Sequence, residues 1–366
     1  MNVNARMIAL YLPQFHPTPD NDIWWGKGYT EWTNVARSKP LFHGHYQPKL
    51  PADLGFYDLR LPIIRKQQAD MAREAGIEGF CYYHYWFGNG KEELELPFKE
   101  VVDSGEPDFP FCLCWANEPW HAKFWSKDGT SKKILLVDQQ YPGEKDNELH
   151  FYSLLKAFRD PRYIKYKGKN IFMIYSPLKF LNVKSFMEQW NKLAKDNGLC
   201  EFHFVAYTFY PEQIDKILNL GFDAVCVARL NNFALHTGNR IKDLFTHIYH
   251  KIVNRPYICD YRSIMSRLIG DEMRKPQVYP IAVPNWDHTP RSGNGGYLLH
   301  NSTPQLFKQH LNQVLDLISS KDYEDRIIFL KSWNEWGEGN YVEPDIKYGH
   351  QYLEVIKDCL IVSETK

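Results

Sequence analysis

Residues 327–339 read Ile-Ile-Phe-Leu-Lys-Ser-Trp-Asn-Glu-Trp-Gly-Glu-Gly, a short apolar run followed by two glutamates among tryptophans. An apolar run of about four to eight residues bounded by polar and glycine residues predicts a buried strand. Seven more runs of this kind precede it along the chain. The eight predicted strands are Ile8–Leu12, Gly79–His84, Phe111–Ala116, Ile171–Tyr175, Phe202–Tyr207, Ala224–Ala228, Tyr279–Val283 and Ile327–Ser332.

Amphipathic stretches separate several of these strands. Helical spacing is clearest over Leu61–Ala75, Lys184–Asn197 and Thr303–Ser319. Strands that alternate with helices predict an α/β fold with a parallel sheet. Eight strands fit a closed (β/α)8 TIM barrel, and an open doubly wound sheet is the alternative. No linker or repeat divides the chain, so we expect a single catalytic barrel domain over residues 1–366.

Two long segments, Pro13–Leu59 and Asn117–Asn147, follow the first and third predicted strands. Loops of this length inside a compact domain are usually functional. In a (β/α)8 barrel they lie at the carboxyl ends of the strands, where active sites are built. We therefore expect a functional site at that pole of the barrel, with long βα loops around it.

The charge balance excludes some partners. The 366 residues carry 44 Lys and Arg and 44 Asp and Glu, which gives no electrostatic basis for binding nucleic acid. The chain has no run of basic residues that would predict binding to an anionic membrane. It also has no apolar stretch long enough to predict an integral membrane segment. The seven cysteines are odd in number and mostly lie in apolar runs. This usage indicates reduced thiols, and we expect a cytoplasmic protein.

Polar and aromatic side chains collect where the predicted strands end. Aromatic residues make up 15% of the chain, with 11 Trp and 23 Tyr, and such rings can stack on sugar faces while Tyr and Trp also form hydrogen bonds. An aromatic-rich core is the alternative, but the clustering at one pole favours a sugar site. The candidate substrate-binding residues are Tyr11, Gln14, His16, Tyr83, His84, Trp86, Trp115, Asn117, Glu118, Tyr175, Tyr207, Trp286, Asp287, Arg291, Trp333, Asn334 and Trp336.

Glu335 and Glu338 are the candidate catalytic pair. Glycosidic chemistry needs two carboxyl groups that flank one bond. Residues three apart on a helical turn have Cβ atoms about 5–6 Å apart, close to the roughly 5–5.5 Å carboxyl separation of retaining enzymes. Trp333 and Trp336 would desolvate a carboxyl and raise its pKa, and Gly337 and Gly339 would let the backbone turn tightly. The alternative is a pair of solvated loop charges.

Other carboxylates lie near the same pole. Glu118 competes for a catalytic role, because Asn-Glu after a barrel strand also supplies the acid/base of other retaining barrel glycosidases. We favour substrate binding for Glu118, and an ion pair with Lys123 is the alternative. Three further carboxylates are expected near the same pole, namely Glu31, Asp287 and Glu343.

The sequence signals no metal and no cofactor. Cys112-Leu-Cys114 has no second Cys or His pair at zinc spacing. Asp20-Asn-Asp22 is the only Asp-x-Asp, and a turn explains it more simply. Residues 293–296, Gly-Asn-Gly-Gly, lack the strand–loop–helix context of a phosphate-binding loop, and we expect a mobile loop near Arg291.

Six motifs in order resemble the WbsX group, which is similar to glycoside hydrolase family 99, the endo-α-mannosidases. The resemblance covers residues 8–352, and WbsX proteins are labelled glycosyltransferases of bacterial surface-polysaccharide synthesis. The motifs are Tyr-Leu-Pro-Gln-Phe-His (11–16), Trp-Trp-Gly-Lys-Gly-Tyr-Thr-Glu-Trp (24–32), Gly-Phe-Cys-Tyr-Tyr-His-Tyr-Trp (79–86), Trp-Ala-Asn-Glu-Pro-Trp (115–120), Trp-Asp-His-Thr-Pro-Arg (286–291) and Trp-Asn-Glu-Trp-Gly-Glu-Gly (333–339).

The resemblance implies a (β/α)8 barrel, bacterial origin, no metal, and an oligosaccharide or polysaccharide substrate that includes lipid-linked forms. It implies that Glu335 assists attack by the sugar's own 2-hydroxyl through a 1,2-anhydro intermediate. Glu338 would protonate the leaving oxygen and then activate water or an acceptor hydroxyl.

Three functions follow as hypotheses. The first is a family 99-like glycoside hydrolase or transglycosidase that acts with retention on a bacterial surface polysaccharide. The second is a sugar-nucleotide-dependent glycosyltransferase of O-antigen, capsule or lipopolysaccharide synthesis. The third is a carbohydrate-binding protein that has lost its activity.

Overall fold

A computed structural model describes residues 3–125, 131–230 and 240–362. Its centre is a closed parallel barrel in which each strand pairs with the next along the chain. The first strand pairs with the second and also with the last, through Ile8 opposite Gly79 and Arg6 opposite Ile327, so the sheet has no free edge. The barrel strands are β1 (Arg6–Tyr11), β2 (Gly79–Trp86), β3 (Phe111–Trp115), β4 (Lys169–Ile174), β5 (His203–Thr208), β6 (Ala224–Val227), β7 (Val278–Ala282) and β8 (Ile327–Leu330).

Helices lie between the barrel strands along the chain. The three predicted helices are confirmed to within one residue at each end. The longest begins with Thr303, whose side chain accepts a hydrogen bond from the amide of Leu306, and Pro304 takes its first position. The helices are α1 (Pro19–Trp25), α2 (Glu31–Arg37), α3 (Pro62–Glu74), α4 (Leu96–Ser104), α5 (Glu144–Phe158), α6 (Val183–Asp196), α7 (Ile214–Leu218), α8 (Arg240–Val253), α9 (Tyr261–Ile264), α10 (Thr289–Ser292), α11 (Pro304–Ile318) and α12 (Gln351–Leu360).

This arrangement confirms the predicted (β/α)8 barrel and excludes the open sheet. The barrel strands are almost entirely buried, and aromatic rings fill the layer between strands and helices. Trp190 of α6, for example, packs on Phe172 of β4 with ring centroids 4.8 Å apart. Six of the seven cysteines are buried in this packing, and Cys200 is exposed. None of the described helices is long and apolar enough to cross a membrane.

The βα loops contain additional structure. The loop after β1 contains α1 and α2, so Asp20 and Asp22 lie in a helix and not in the predicted turn. After β3 the chain forms an antiparallel hairpin of Trp120–Trp125 and Ser131–Val137. Between β6 and β7, α8 precedes a strand, Tyr257–Asp260, which pairs with Tyr297–His300 from the loop after β7. These loops build the pole at the carboxyl ends of the strands.

Candidate active site

The two glutamates lie just beyond β8, on a hairpin instead of the α-helical turn that their spacing predicts. Glu335 pairs with Asn340 in a two-residue antiparallel ladder, and a single 3-10 turn over Trp336–Glu338 connects the two sides. Gly339 closes this turn with a φ of 52°. Both carboxyl groups consequently reach the same neighbour, the guanidinium of Arg291.

Arg291 joins three carboxylates. Its Nη1 lies 2.7 Å from Glu338 Oε1 and 3.5 Å from Glu335 Oε1, and its Nε lies 2.8 Å from Glu31 Oε1. Burial alone would lower the pKa of Arg291, but the three carboxylates raise it. The loops after β1, β7 and β8 therefore meet at one guanidinium, in α2, α10 and the hairpin respectively.

Gly337 is required at this junction for its lack of a side chain. A Cβ at this position would lie 1.6 Å from Glu31 Oε1 and 3.1 Å from Arg291 Nε. Any other residue would push Glu31 away from the guanidinium. The predicted tight backbone turn is confirmed at Gly339, whose φ is positive, and not at Gly337.

Glu335 is buried beside Lys331, which was not among the predicted site residues. Burial raises the pKa of Glu335, repulsion from Glu338 adds to the shift, and the cations Lys331 and Arg291 oppose it. Lys331 Nζ lies 3.4 Å from Glu335 Oε2 and 3.2 Å from the hydroxyl of Tyr83. A lone lysine at the end of an apolar strand was the signal that could have identified it.

A row of inward-facing aromatic rings borders the pair. Tyr175 stacks on Tyr207 with centroids 4.6 Å apart and meets Tyr83 edge-on at 6.1 Å. Lys331 Nζ lies 5.6 Å from the ring centroid of Trp286. In the described part of the chain, the hydroxyl of Tyr207 and Nε1 of Trp286 are buried without a hydrogen-bond partner. Buried polar groups are normally paired, so both have unused capacity to bind a ligand.

A cavity of 390 Å³ opens beside Arg291 and Glu31. Its walls include Gln14, as predicted, and Trp25, Tyr29, Asn21 and Trp120, which were not among the candidate residues. The side-chain amide of Asn21 is buried, and neither its nitrogen nor its oxygen has a partner within the described residues. Trp25 and Tyr29 lie in the aromatic-rich motif at 24–32. Their position in that motif could have identified them as site residues. His16 instead bonds the carbonyl of Pro13 through Nδ1 at 2.9 Å.

Glu343 organises the ends of the hairpin. Its Oε1 accepts hydrogen bonds from Trp333 Nε1 at 2.8 Å and Gln68 Nε2 at 2.6 Å. Its Oε2 accepts from Trp336 Nε1 at 2.6 Å and from the hydroxyl of Tyr57 at 2.9 Å. Burial raises the pKa of Glu343 to about 7, although all four donors oppose the shift. Both tryptophans are buried and donate their indole N–H groups to Glu343. This corrects the expectation that they bind substrate beside the candidate catalytic pair.

Four more predicted binding residues face the helices and not the barrel mouth. Side chains alternate along a strand, so Tyr83 and Tyr85 of β2 point inward while their neighbours point outward. His84, Trp86 and Trp115 all contact His150 of α5, His84 through Nε2 at 2.8 Å and the two tryptophans through their rings. Tyr11 donates to Gln68 of α3 at 2.7 Å. The residues corrected in this way are Tyr11, His84, Trp86 and Trp115.

Two predicted asparagines support loops. Asn334 accepts from the amide of Leu12 at 2.8 Å and donates to its carbonyl at 3.0 Å, which ties the loop after β8 to the end of β1. Asn117 accepts from the amide of Ser176 at 2.7 Å and donates to its carbonyl at 3.1 Å. Both amides are occupied by the backbone, so they position loops instead of binding a sugar.

Asp287 also has a positioning role. Its Oδ2 contacts His45 Nε2 at 2.8 Å and Gln47 Nε2 at 2.7 Å. Burial alone would raise the pKa of Asp287, but the bond to His45 and the charge of Lys49 lower it to about 2. Its backbone amide donates to the carbonyl of Glu338 at 2.6 Å. Asp287 thus fixes the backbone at Glu338, a member of the candidate catalytic pair.

Glu118 lies at the rim, apart from the carboxylate cluster. Its Oε1 accepts from Ser176 Oγ at 2.6 Å and pairs with Lys179 at 2.5 Å. The side chain of Lys123, the predicted partner, lies outside the described residues. Among residues 3–125, 131–230 and 240–362, no group of three His, Cys, Asp or Glu side chains is placed to hold a metal ion.

A (β/α)8 barrel with a pair of glutamates beside aromatic rings at its mouth has the architecture of a carbohydrate-active barrel protein. A family model described as glycosyltransferase WbsX matches residues 7–356, and the chain belongs to this family. Its resemblance to that family is therefore confirmed.

A curated relative and two solved structures are similar to this chain. The chain is 36% identical over 362 residues to a protein named WxcX from Xanthomonas campestris pv. campestris, covering 97% of this chain and 50% of that one. It thus spans about half the length of the curated relatives it matches. A glycoside hydrolase-like protein superposes with a TM-score of 0.60 at 15% identity, over 99% of this chain and 95% of that chain. The GH99 endo-alpha-mannosidase from Bacteroides thetaiotaomicron gives 0.55 at 15% identity, over 98% and 96%. At that identity the likeness shows a shared fold.

The stability of the protein should fall as pH rises through the pKa of Glu343. Burial raises this pKa from 4.5 to about 7 in the folded protein, so the folded state holds the proton more tightly than the unfolded chain and ionisation costs stability. Glu343→Gln stays neutral, so from pH 5 to pH 8 its free energy of unfolding in urea should rise relative to that of the wild type by about 2–4 kcal/mol. Glu118→Gln, at the rim, is the matched control and should keep the pH dependence of the wild type. A Glu343→Gln profile parallel to the wild-type profile would contradict this role.

Proposed function

We propose that this protein is an enzyme that cleaves or transfers glycosidic bonds of a bacterial surface polysaccharide at Glu335 and Glu338. One observation carries the proposal: the buried carboxyl of Glu335 and the partly exposed carboxyl of Glu338 share the guanidinium of Arg291 in an aromatic barrel mouth, beside a cavity that can hold sugar units. The substrate would be an oligosaccharide or polysaccharide, including a lipid-linked one.

The geometry favours retention of anomeric configuration. The Oε1 atoms of Glu335 and Glu338 lie 3.5 and 2.7 Å from the same nitrogen of Arg291. They cannot be farther apart than the sum of these distances, which is below the roughly 6.5–9.5 Å separation of inverting glycosidases. An inverting mechanism needs room for water between the carboxyl groups, so a separation below that range favours retention.

In the proposed first step, Glu335 removes the proton of the sugar 2-hydroxyl as that oxygen attacks the anomeric carbon, and Glu338 protonates the leaving oxygen. In the second step, Glu338 takes a proton from water or an acceptor hydroxyl, whose oxygen opens the anhydro ring while Glu335 returns a proton to the 2-oxygen. Burial supports the first role, because a carboxylate with a raised pKa is a stronger base once ionised.

The ion pair with Arg291 sets a condition for this cycle. Glu338 is bound to the guanidinium at 2.7 Å in the structure, and protonating it for the first step requires that contact to loosen. A sugar hydroxyl inserted beside Arg291 would do this. The second step uses the ionised form of Glu338, which is the form that pairs with Arg291.

Three unpaired polar groups supply candidate sugar contacts. These are the amide of Asn21 in the cavity, the hydroxyl of Tyr207 and Nε1 of Trp286, each buried without a partner among the described residues. A site that hydrogen-bonds sugar hydroxyls discriminates strongly against analogues that lack them, because its own groups would stay unpaired. The selected ligand is therefore polar on the faces that meet these groups.

The family's description favours a second candidate, transfer from a sugar nucleotide. The only Asp-x-Asp offers little support, because Asp20 pairs with Lys91 at 2.5 Å and Asp22 accepts from the amide of Gly28 at 2.8 Å. A thermal-shift comparison separates the candidates. Saturable stabilisation by a sugar nucleotide would favour this second function, and stabilisation by oligosaccharides alone would favour the first.

We expect Glu335→Gln and Glu338→Gln each to lower turnover by about 10²–10⁴-fold, the contribution typical of a general acid or base. The assay measures cleavage or transfer products from fluorescently labelled oligosaccharides of bacterial surface polysaccharides. The fold should persist, because each change keeps the side-chain shape. The double variant should lose little more than either single one, since residues that act as a unit are not additive.

Glu118→Gln is the control for this experiment. It removes a carboxylate from the rim that is ion-paired with Lys179, and turnover should stay within a few-fold of the wild type. If Glu118→Gln were inactive while Glu338→Gln kept normal turnover, the proposed pair would be wrong.

The pH dependence should respond to Lys331. As a base, Glu335 must be ionised, so kcat/KM should rise through the pKa of Glu335 on the acid side of the profile. Lys331 lowers that pKa from 3.4 Å away. We expect Lys331→Met to move this acid limb to higher pH, while Lys179→Met at the rim leaves it in place. An acid limb that stays fixed or moves to lower pH in Lys331→Met would contradict the role of Glu335.

A further inference from the structure

Helix α8 exposes an apolar face. Apolar residues recur along it at three- and four-residue intervals, the spacing of one helical face. Phe245 is 67% exposed and Ile252 is 78% exposed. The full set of exposed apolar side chains on this face is Ile241, Leu244, Phe245, Ile248, Tyr249 and Ile252.

The helix is inverted relative to an ordinary surface helix, whose apolar stripe faces the core. His250 contacts the ring of Tyr257 with centroids 4.4 Å apart, and its Nδ1 lies 3.1 Å from the carbonyl of Arg255. A polar position thus faces the neighbouring strand while the apolar arc faces outward. Exposed apolar surface of this extent marks an interaction site.

The sequence of α8 is also rich in basic residues. The sequence of α8 contains Arg240, Lys242 and Lys251 against one acidic residue, Asp243, and exposed Arg255 follows. With about 3.6 residues per turn, positions 242 and 251 fall at the two edges of the apolar arc. These basic residues are separated along the sequence, so they form no continuous basic run.

The helix belongs to the same pole as the candidate active site. It lies in the connection after the carboxyl end of β6, and the strand that follows it, Tyr257–Asp260, pairs with Tyr297–His300. That second strand follows α10, which carries Arg291. A surface that docks on α8 therefore meets the barrel at the pole that holds Glu335 and Glu338.

We propose that α8 docks the protein on an anionic lipid surface, lying in the plane of the membrane. An amphipathic helix with Phe, Leu and Ile on one face and basic residues beside it buries its apolar face about 5–10 Å into the interface, with the cations against anionic headgroups. The basic surplus selects a lipid surface over an uncharged protein groove. Docking in this way would hold the barrel mouth near glycans carried on lipids, a consequence that rests on the proposed function.

Vesicle co-sedimentation tests the docking without any substrate. The probes are 100 nm vesicles of phosphatidylcholine with phosphatidylglycerol in equal amounts, and vesicles of phosphatidylcholine alone. We expect the wild type to sediment with the anionic vesicles, to bind the neutral ones more weakly, and to be released in part by 0.5 M NaCl because salt screens the headgroup attraction.

The variant Ile248→Glu with Ile252→Glu should lower the partition coefficient by about tenfold or more, because it places charge in the apolar face. Leu181→Glu is the matched control, since Leu181 is 92% exposed just before α6 and should leave binding unchanged. Both variants change only exposed residues, and unchanged thermal unfolding would verify their fold.

Two results would overturn the proposal. One is the absence of wild-type sedimentation with anionic vesicles, or equal binding by the α8 variant. The other is sedimentation velocity that shows a dimer of the wild type, a monomer of the α8 variant and no vesicle binding by either, which would assign the face to a second copy. Because no step measures turnover, failure here leaves the glycosidic proposal intact, and inactivity of Glu335→Gln leaves the docking intact.

Discussion

The arrangement of the barrel mouth depends on one buried guanidinium among three carboxylates. Arg291, in the loop after β7, contacts Glu31 from the loop after β1 and both Glu335 and Glu338 from the loop after β8. Three carboxylates this close would repel one another in a poorly solvated site, so the cation is what allows the loops to converge. The requirement for glycine at 337 follows from the same junction, because a Cβ there would occupy the place of the Glu31 carboxylate.

The acidic residues at this pole make different contacts. Glu343 binds four donors and fixes the hairpin, Asp287 holds the backbone of Glu338, and Glu118 is ion-paired at the rim. Glu335 and Glu338 direct oxygen atoms at a shared cation. Burial raises the pKa of Glu335 beside this cation, whereas Glu343 has its hydrogen-bonding capacity filled by structural partners.

Much of this fold could be predicted from the sequence. The eight apolar runs became the eight barrel strands, because a parallel barrel buries both faces of each strand and leaves continuous apolar runs. The same burial hides which residues point inward, so Tyr83 and His84 looked alike, although one faces the mouth and the other meets His150. The roles of Lys331 and of the partners of Arg291 depend on contacts between loops that are distant in sequence. Local residue spacing does not predict such contacts.

The central claim is that Glu335 and Glu338 act together on one glycosidic bond. The most direct measurement is the anomeric configuration of the first product, followed by proton NMR before mutarotation. It requires an oligosaccharide of known linkage that the wild type cleaves. The shared contact with Arg291 predicts a product that keeps the configuration of the substrate. A first product of inverted configuration would contradict the account.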